Sequence, residues 1–445
     1  MRDLNSFLLR VLRTVIRADS DPTRQVLFGV LMRSRRSVRL VHGLHARLRG
    51  VWTRTLLVCC YGLAAYFAVA RPSNRRARVI ALATHENAQH QVARIASWIG
   101  AADCGWVRTG ASAAMFPVDV AAALALLRSG RDLVRAFRVI RTVNTRYGFL
   151  VSCRTACALA WYARGKTLLG AHRPGAVLVS SDSNPEEVGF VAAARALAIP
   201  QVFVSHAYPT PYSPPLDFTL SILEGEAAFE ACWRKGPIAG HVLLAGIDGE
   251  SAPLDPRRFE RPNPVIGIFT PKALSWPRLA LVIEDCCRYF RARQVVVRWH
   301  PSMLEPPRLG RSVGDLSGIV ECPAGASLVE TARQCDWVVA DENSNVHLPV
   351  LKLGIPTIAV RNLGLYPESR SDLYGFIAAG IVFPAVERIR DVQPDVLAAF
   401  FSDCWTARFR RYDASYLRPA EPIGAEVRRA VWNLLEHPVS TACLT

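Results

Sequence analysis

The strongest constraint on the fold is a β-branched run that ends in polar residues. Residues 295–301 read Val-Val-Val-Arg-Trp-His-Pro, so a strand without a polar interruption delivers His300 at its end. The pattern recurs at residues 337–340, which lead into the polar stretch 341–345, a helix-like stretch and a second apolar run at 354–360. Parallel sheets bind ligands beyond the carboxyl ends of their strands. The pattern therefore predicts an α/β sheet with a ligand site at this edge.

Similar units occur along most of the chain and predict an α/β protein of two facing doubly wound, Rossmann-like domains with a helical, basic N-terminal segment. The first half has strands at 78–83, 176–182, 199–206, 218–223 and 242–246, and helices at 86–99 and 185–197. The second half has strands at 265–269, 295–300, 319–322, 336–340 and 355–360, and helices at 278–291, 391–401 and 424–436. Residues 111–170 are predicted to be mostly helical, and they form either an insertion or a layer of helices packed on the domain.

These units predict a division of the chain into five parts. A basic helical segment over 1–75 precedes a first Rossmann-like domain over 76–250. A proline-rich linker over 251–264 leads to a second such domain over 265–420. The last part, 421–445, is a helix expected to pack back across the linker.

The net charge of +17 lies mainly at the start of the chain. Residues 1–78 contain sixteen Arg and no Lys against three Asp, which indicates a polyanionic partner surface. These Arg are interleaved with aliphatic residues, so an anionic membrane is favoured over nucleic acid. The apolar run at 55–70 is short for a spanning helix. It is interpreted either as a segment in the plane of the membrane or as a buried helix.

Cysteine usage and the missing cofactor motifs exclude several classes of protein. The twelve Cys form no CxxC pair and predict buried, reduced thiols in a cytosolic compartment. The start of the chain lacks the pattern of a signal peptide. No Walker loop, no GxGxxG after a strand and no metal motif is found, so we expect no cofactor and no metal ion.

Two groups in the second half are candidates for binding phosphate. His300 at a strand end can donate to a phosphate oxygen, or it can simply cap a loop. Ser344, with Asn343 and Asp341 before it, presents a hydroxyl and backbone N–H groups to an anion at a helix start near residue 345, or acts as an N-cap. Lys272 follows the strand 265–269 and can meet a diphosphate, or lie in a solvated loop.

Two residues in the first half are candidates for acid–base chemistry. His206 ends the strand 199–206 and can take a proton from a hydroxyl group. Asp182 ends the neighbouring strand and can orient that histidine or act as the base itself. Asp182 is equally suited to cap the helix 185–197.

With these residues assembled, the chain resembles GT-B-type transferases that build bacterial capsule, polysialic acid and teichoic acid. Residues 298–301 resemble their His-Pro motif, and residues 340–344 with 354–356 resemble their donor motif. Residues 181–185 and 204–207 resemble the segments that carry a candidate base, although Ala207 replaces the usual Gly. The acidic-acidic-Gly motif of the sialyltransferases is only partly present, as Ile-Asp-Gly at 247–249.

The resemblance implies a metal-independent glycosyltransferase or glycerophosphotransferase. His300 and Ser344 would bind the phosphates of a nucleotide-activated donor in a C-terminal donor domain, and His206 or Asp182 would deprotonate the acceptor in an N-terminal acceptor domain. The expected acceptor is a lipid-linked or growing surface polysaccharide at the inner face of the cytoplasmic membrane, with no nucleic acid partner. A sugar-nucleotide epimerase of the same two-domain shape and a non-catalytic basic binding protein are the alternatives.

Overall fold

The computed structural model describes residues 36–67, 73–74, 76–84, 86–107, 130–181, 184–210, 213–301, 303, 309, 318–323, 325–365, 371–401 and 403–436. The predicted helical start of the chain before residue 36 lies outside these residues, and so does Asp182.

The first half of the chain folds around a parallel sheet of six strands in the order β2-β1-β3-β4-β5-β6. These strands are β1 (Val79–Leu82), β2 (Cys104–Val107), β3 (Ala176–Val179), β4 (Gln201–Val204), β5 (Asp217–Leu223) and β6 (Ala239–Leu244). β1 and β3 are neighbours in register, with Leu82 opposite Val179. The strand order reverses direction between them, and such a switch opens a crevice at the carboxyl edge.

Helices cover both faces of this first sheet because its central strands are buried along their whole length. One face packs on α3 (Glu86–Ile99) and on the last described helix, α12 (Ala420–Glu436). The other face packs on α4 (Gly130–His172) and α5 (Pro185–Ala196), where Trp161 meets Phe190. α6 (Glu226–Trp233) connects β5 to β6.

The second half contains another parallel sheet of six strands, in the order β12-β11-β10-β7-β8-β9. Its strands are β7 (Val265–Phe269), β8 (Gln294–Arg298), β9 (Ile319–Cys322), β10 (Trp337–Asp341), β11 (Thr357–Val360) and β12 (Phe383–Val386). Numbered within the domain and read from β9, the order is 3-2-1-4-5-6, which is the Rossmann order. Its switch point lies between β7 and β10.

The helices of this second domain are α7 (Trp276–Glu284), α8 (Leu328–Arg333), α9 (His347–Lys352), α10 (Pro394–Phe400) and α11 (Asp403–Tyr412). α8 and α9 pack on one face of the sheet through Ala332 and Val350. α7 covers the other face through Leu279 and Ile283. α7 continues into a π-helical turn over Asp285–Tyr289, so the chain is helical over most of the predicted helix at 278–291.

The linker between the two domains passes close to α9. The backbone at Gly354 has φ +74°, and a Cβ there would lie 2.4 Å from the carbonyl oxygen of Pro253. Glycine is therefore required both for the left-handed turn that ends α9 and for the approach of the linker. After α11 the chain returns to the first domain, where α12 lies along α3 and Trp432 donates to the carbonyl oxygen of Ile99 (3.3 Å).

A layer of helices lies outside α5 and is formed by α1 (Arg36–Arg47), α2 (Val51–Phe67) and α4. Gly148 has φ +83° and ψ −172°, so it breaks α4 and brings Asn144 within 3.5 Å of Ser152. α2 contains most of the apolar run at 55–70. Its buried residues, including Val58 and Gly62, face α4, so this helix is buried on one side only.

The fold class predicted from the sequence is confirmed, because two parallel sheets with helices on both faces follow one another along the chain. The predicted strands at 265–269 and 319–322 and the helix at 86–99 have the observed bounds. β2, β12, α6, α8 and α11 were not predicted.

Candidate functional site

His300 lies just beyond β8, at the carboxyl edge of the second sheet. Its backbone N–H donates to Oγ1 of Thr270 (3.0 Å), the residue that follows β7. The N–H of Thr270 in turn donates to the carbonyl oxygen of Arg298 (3.0 Å). These bonds fix the two strand ends against each other beside the switch point between β7 and β10.

The surroundings of His300 are positively charged and largely dry. Burial, with Lys272 and Arg298 close by, lowers the pKa of His300 to about 4. Arg298 is itself 7% exposed and donates through Nε (3.1 Å) and Nη2 (2.9 Å) to the carbonyl oxygen of Ala326. The imidazole is therefore neutral at physiological pH and lies among fixed cations, an arrangement that suits an anionic ligand.

Of the predicted residues, Asp341 is the last residue of β10, and Asn343 and Ser344 lie in the loop that follows. Both carboxylate oxygens of Asp341 accept backbone N–H groups, from Asn343 (2.9 Å) and from Gly364 (2.6 Å). Burial raises the pKa of Asp341 to about 6. The contacts of Asp341 hold the shape of the loop from within.

The side chains of Asn343 and Ser344 fix the next part of this loop. The side-chain oxygen of Asn343 accepts from the N–H of Leu373 (2.8 Å), which ties the loop to the segment 371–380. Ser344 Oγ accepts from the N–H of Val346 (3.3 Å) and is half-buried. This bond closes a local turn before α9, whose N-cap is Val346, so Ser344 is not the N-cap of this helix. α9 has only six residues, so its dipole is small. An anion at this place would therefore depend more on the loop backbone and the Ser344 hydroxyl than on the helix dipole.

His347 is a fully buried residue that the sequence analysis did not single out. Its two ring nitrogens contact Thr357 Oγ1 (3.0 Å) and the carbonyl oxygen of Asp341 (3.0 Å). Burial lowers its pKa to about 4. A neutral imidazole thus joins β10 to β11 from below the loop.

In the first domain, His206 follows β4 at the carboxyl edge of the first sheet. Its Nδ1 contacts the carbonyl oxygen of Ser180, which follows β3. A proton on Nδ1 that is donated to this oxygen leaves the lone pair on Nε2. Next to it, Ser205 Oγ donates to Glu224 Oε1 (2.6 Å), and Glu224 is a buried carboxyl whose pKa burial raises.

A second buried carboxyl of the first domain, Glu187, was missed by the sequence analysis. Glu187 lies in the first turn of α5 with no exposed surface. Its oxygens accept from the N–H (3.3 Å) and Oγ1 (3.2 Å) of Thr84, just after β1, and the Asn184 amide also donates to Thr84 Oγ1 (2.9 Å). Burial raises the pKa of Glu187 to about 8. This network joins the residues after β1 to the start of α5 at the β1/β3 switch point.

Aromatic contacts bring the two carboxyl edges together. Tyr208, two residues after His206, is stacked on Tyr412 at 5.1 Å and meets Phe376 at 5.4 Å and Tyr374 at 6.4 Å edge-on. Tyr374 follows Leu373, the residue bonded to Asn343. The His206 segment of the first domain and the Asn343 loop of the second are therefore linked through these rings.

The described ranges contain neither a metal-binding cluster nor a membrane-spanning helix. Within them, no three His, Cys, Asp or Glu side chains gather as a metal site. No helix in those ranges combines the length and the apolar character that crossing a bilayer requires.

No protein-family model matches the sequence, and no curated protein is significantly similar to it. Solved structures with a similar chain path include MnaA of S. aureus with UDP (10% identity, TM-score 0.48), covering 81% of this chain and 96% of that one. Another is UDP-N-acetylglucosamine 2-epimerase from Rickettsia bellii (13% identity, TM-score 0.46), covering 80% of this chain and 95% of that one. A third is the calicheamicin glycosyltransferase CalG4 (13% identity, TM-score 0.48), covering 82% of this chain and 100% of that one. The two Rossmann-like sheets themselves define the GT-B-like fold.

Proposed function

We propose that the protein is a nucleotide-sugar-dependent transferase of the GT-B type, acting without a metal ion. The observation that supports this most is the position of His300, which lies with Lys272 and Arg298 at the strand ends beside the Rossmann switch point. Nucleotides bind at this place in doubly wound sheets. Fixed cations and N–H donors can stabilise a leaving diphosphate in place of a bound metal.

In this proposal the second domain holds the donor. His300 donates to a phosphate oxygen through its ring, Lys272 neutralises the diphosphate, and the hydroxyl of Ser344 with the amide of Asn343 adds hydrogen bonds from the facing loop. Asp341 acts as a positioning residue, because its oxygens are bonded to the backbone of that loop.

The first domain supplies the base in this proposal, with His206 favoured and Asp182 as the second candidate. His206 Nε2 takes the proton of the acceptor hydroxyl, whose oxygen bonds to the anomeric carbon of the donor. The bond from that carbon to the phosphate oxygen breaks, and the electron pair leaves with the nucleotide. The contact of Nδ1 with Ser180 supports this role, since it presents the lone pair on the other nitrogen. If glycerophosphate is transferred, the same oxygen bonds to the phosphorus of the glycerophosphate group, the bond from that phosphorus to the oxygen of the nucleotide's phosphate breaks, and the nucleotide leaves with the electron pair.

The proposed acceptor is a lipid-linked or growing surface polysaccharide, as in capsule synthesis, handled at the inner face of the cytoplasmic membrane. The basic, partly exposed helical layer supports this assignment, because a water-soluble acceptor would not require it. A sugar-nucleotide epimerase and a basic binding protein remain the alternative functions that experiment must distinguish.

The test is a thermal-shift panel of CMP, CDP, UDP and GDP on the purified protein and on two variants. A ligand at a hundred times its Kd stabilises by about 2.7 kcal/mol, which moves the midpoint visibly. We expect one nucleotide to raise the midpoint of wild type and of His241→Ala, whose side chain is exposed on β6, but not of His300→Ala. No shift with any nucleotide contradicts the proposal. Conversion of a nucleotide sugar to its epimer without any acceptor supports the epimerase instead.

A further inference from the structure

The helical layer carries most of the exposed apolar surface in the described part of the chain. Eleven of the eighteen large apolar side chains exposed there lie on α1, α2 and α4. The most exposed of them include Leu40 (65%), Trp52 (62%), Leu56 (59%) and Val134 (53%). A concentration of this kind marks an interaction surface, whereas single exposed apolar residues do not.

The same helices are almost free of negative charge. Residues 36–67 and 130–172 contain twelve Arg and one Lys against a single acidic residue, Asp132. The guanidinium of Arg141 lies 4.7 Å from the ring of Trp52, and Arg47 and Arg49 are exposed shortly before α2 begins. Exposed rings and leucines beside arginines fit the boundary between lipid headgroups and acyl chains.

α2 has the form of a helix that lies flat on such a boundary. Its inner side is buried on α4 at Thr55, Val58, Gly62 and Tyr66. A Cβ at Gly62 would lie 3.1 Å from the Ala156 side chain, so the two helices are in close contact. An adjacent side leaves Trp52, Leu56, Leu63 and Phe67 exposed along the length of the helix, with Trp52 stacked on Phe137 of α4 at 5.6 Å.

We propose that the outer side of α1, α2 and the part of α4 before Gly148, here called the docking face, binds the surface of an anionic membrane with α2 in the membrane plane. Charge favours this occupant, because a second copy of the same basic face would be repelled. Nucleic acid is disfavoured because apolar side chains separate the arginines.

The docking face also fixes how the cleft is oriented. The bend of α4 at Gly148 packs beside the start of α5, where Val143 and Val151 meet Val188. α5 begins at the carboxyl edge of the first sheet, which is the edge that carries His206. The cleft therefore opens close to the bilayer. The inference that this orientation serves a lipid-linked acceptor rests on the proposed function. The inference that the docking face binds a membrane does not.

Cosedimentation with vesicles of phosphatidylcholine, with and without phosphatidylglycerol, tests the proposal. We expect wild type to bind only the vesicles with phosphatidylglycerol, and Trp52→Ser/Leu56→Ser to lose about tenfold or more in affinity, since each side chain leaves an apolar contact. Trp233→Ser, an equally exposed Trp (61%) on α6, should bind as wild type does. Leu40→Ser/Leu56→Ser repeats the test with two highly exposed leucines in case the first variant is unstable.

Three results would overturn the proposal: no binding of wild type, equal binding of the folded double variants, or a concentration-dependent dimer that the double variants abolish. The thermal midpoint of each variant shows that it is folded. Nucleotide shifts measured on the same samples separate the two proposals, because a protein that binds vesicles but no nucleotide retains the docking face and loses the proposed function.

Discussion

A buried ion pair between Lys352 and Asp413 holds the two domains together. Nζ of Lys352, at the end of α9, lies 3.1 Å from Oδ2 of Asp413 and donates to Ser415 Oγ (2.6 Å) and to the carbonyl oxygen of Ile247. The two charged side chains are 3% and 0% exposed. Since Ile247 follows β6 and Asp413 follows α11, one ammonium group joins the first domain, the second domain and the returning chain.

We expect Lys352→Met to lower the free energy of unfolding by about 3–5 kcal/mol, because it leaves the carboxylate of Asp413 buried without its cation. The other oxygen of Asp413 still accepts hydrogen bonds from the N–H groups of Ile247 (3.0 Å) and Ser415 (2.9 Å). Because these bonds stabilise the unpaired carboxylate, we expect the variant to fold. Lys352→Met/Asp413→Asn should be more stable than the sum of the single losses predicts, since it removes both charges.

Arg333→Met is the matched control. Arg333 on α8 pairs with Glu250, just before the linker, so it joins nearby segments, but the two side chains are 48% and 81% exposed. An exposed pair contributes at most about 1 kcal/mol. Urea unfolding measures both variants through the midpoint at unchanged m. A loss for Lys352→Met no larger than that for Arg333→Met would refute the argument that burial makes this pair a structural requirement.

Two further predictions concern protonation. The pKa of His300 is held at about 4 in the free protein, so a bound diphosphate should raise it and binding should take up protons. Calorimetry in buffers of different ionisation enthalpy should detect this proton uptake in wild type and not in His300→Gln. Binding to wild type without proton uptake would contradict a contact between His300 and the diphosphate. The pKa of Glu187, raised from 4.5 to about 8, means that the folded state holds a proton there which the unfolded state has lost above pH 4.5. The stability of wild type relative to Glu187→Gln should therefore fall by up to about 1.4 kcal/mol for each pH unit between about pH 5 and pH 8, as followed by urea unfolding; a constant difference contradicts a buried neutral carboxyl.

The elements that sequence reasoning found are those whose signal is local. The strand over Val265–Phe269 and the helix over Glu86–Ile99 follow from an apolar run and a helical period. β12 was missed because it contains Pro384, which argues against a strand. It forms at the edge of the second sheet, where one side of the strand needs no ladder partner.

The residues of the candidate site also fall into those with a local signal in the sequence and those without one. His206, His300 and Ser344 could be found from the sequence because each ends or follows a recognisable strand. Glu187 could not, since a glutamate in the first turn of a helix is usually exposed, and its partner Thr84 is 103 residues away. Asp341 was recognised as part of the loop, but that its oxygens bind the backbone depends on Gly364 and is visible only in the fold.

The aromatic contacts across the cleft connect the two halves of the proposed site mechanically. Tyr208 is 5% and Phe376 is 1% exposed, so separating the two edges would place both rings in water. Leu373 and Tyr374 are consecutive, and one binds Asn343 while the other contacts Tyr208. Two adjacent residues therefore connect the Asn343 loop to the segment that carries His206. Apolar packing, which acts without direction, holds the cleft at this point, whereas the ion pair of Lys352 fixes the geometry at the linker.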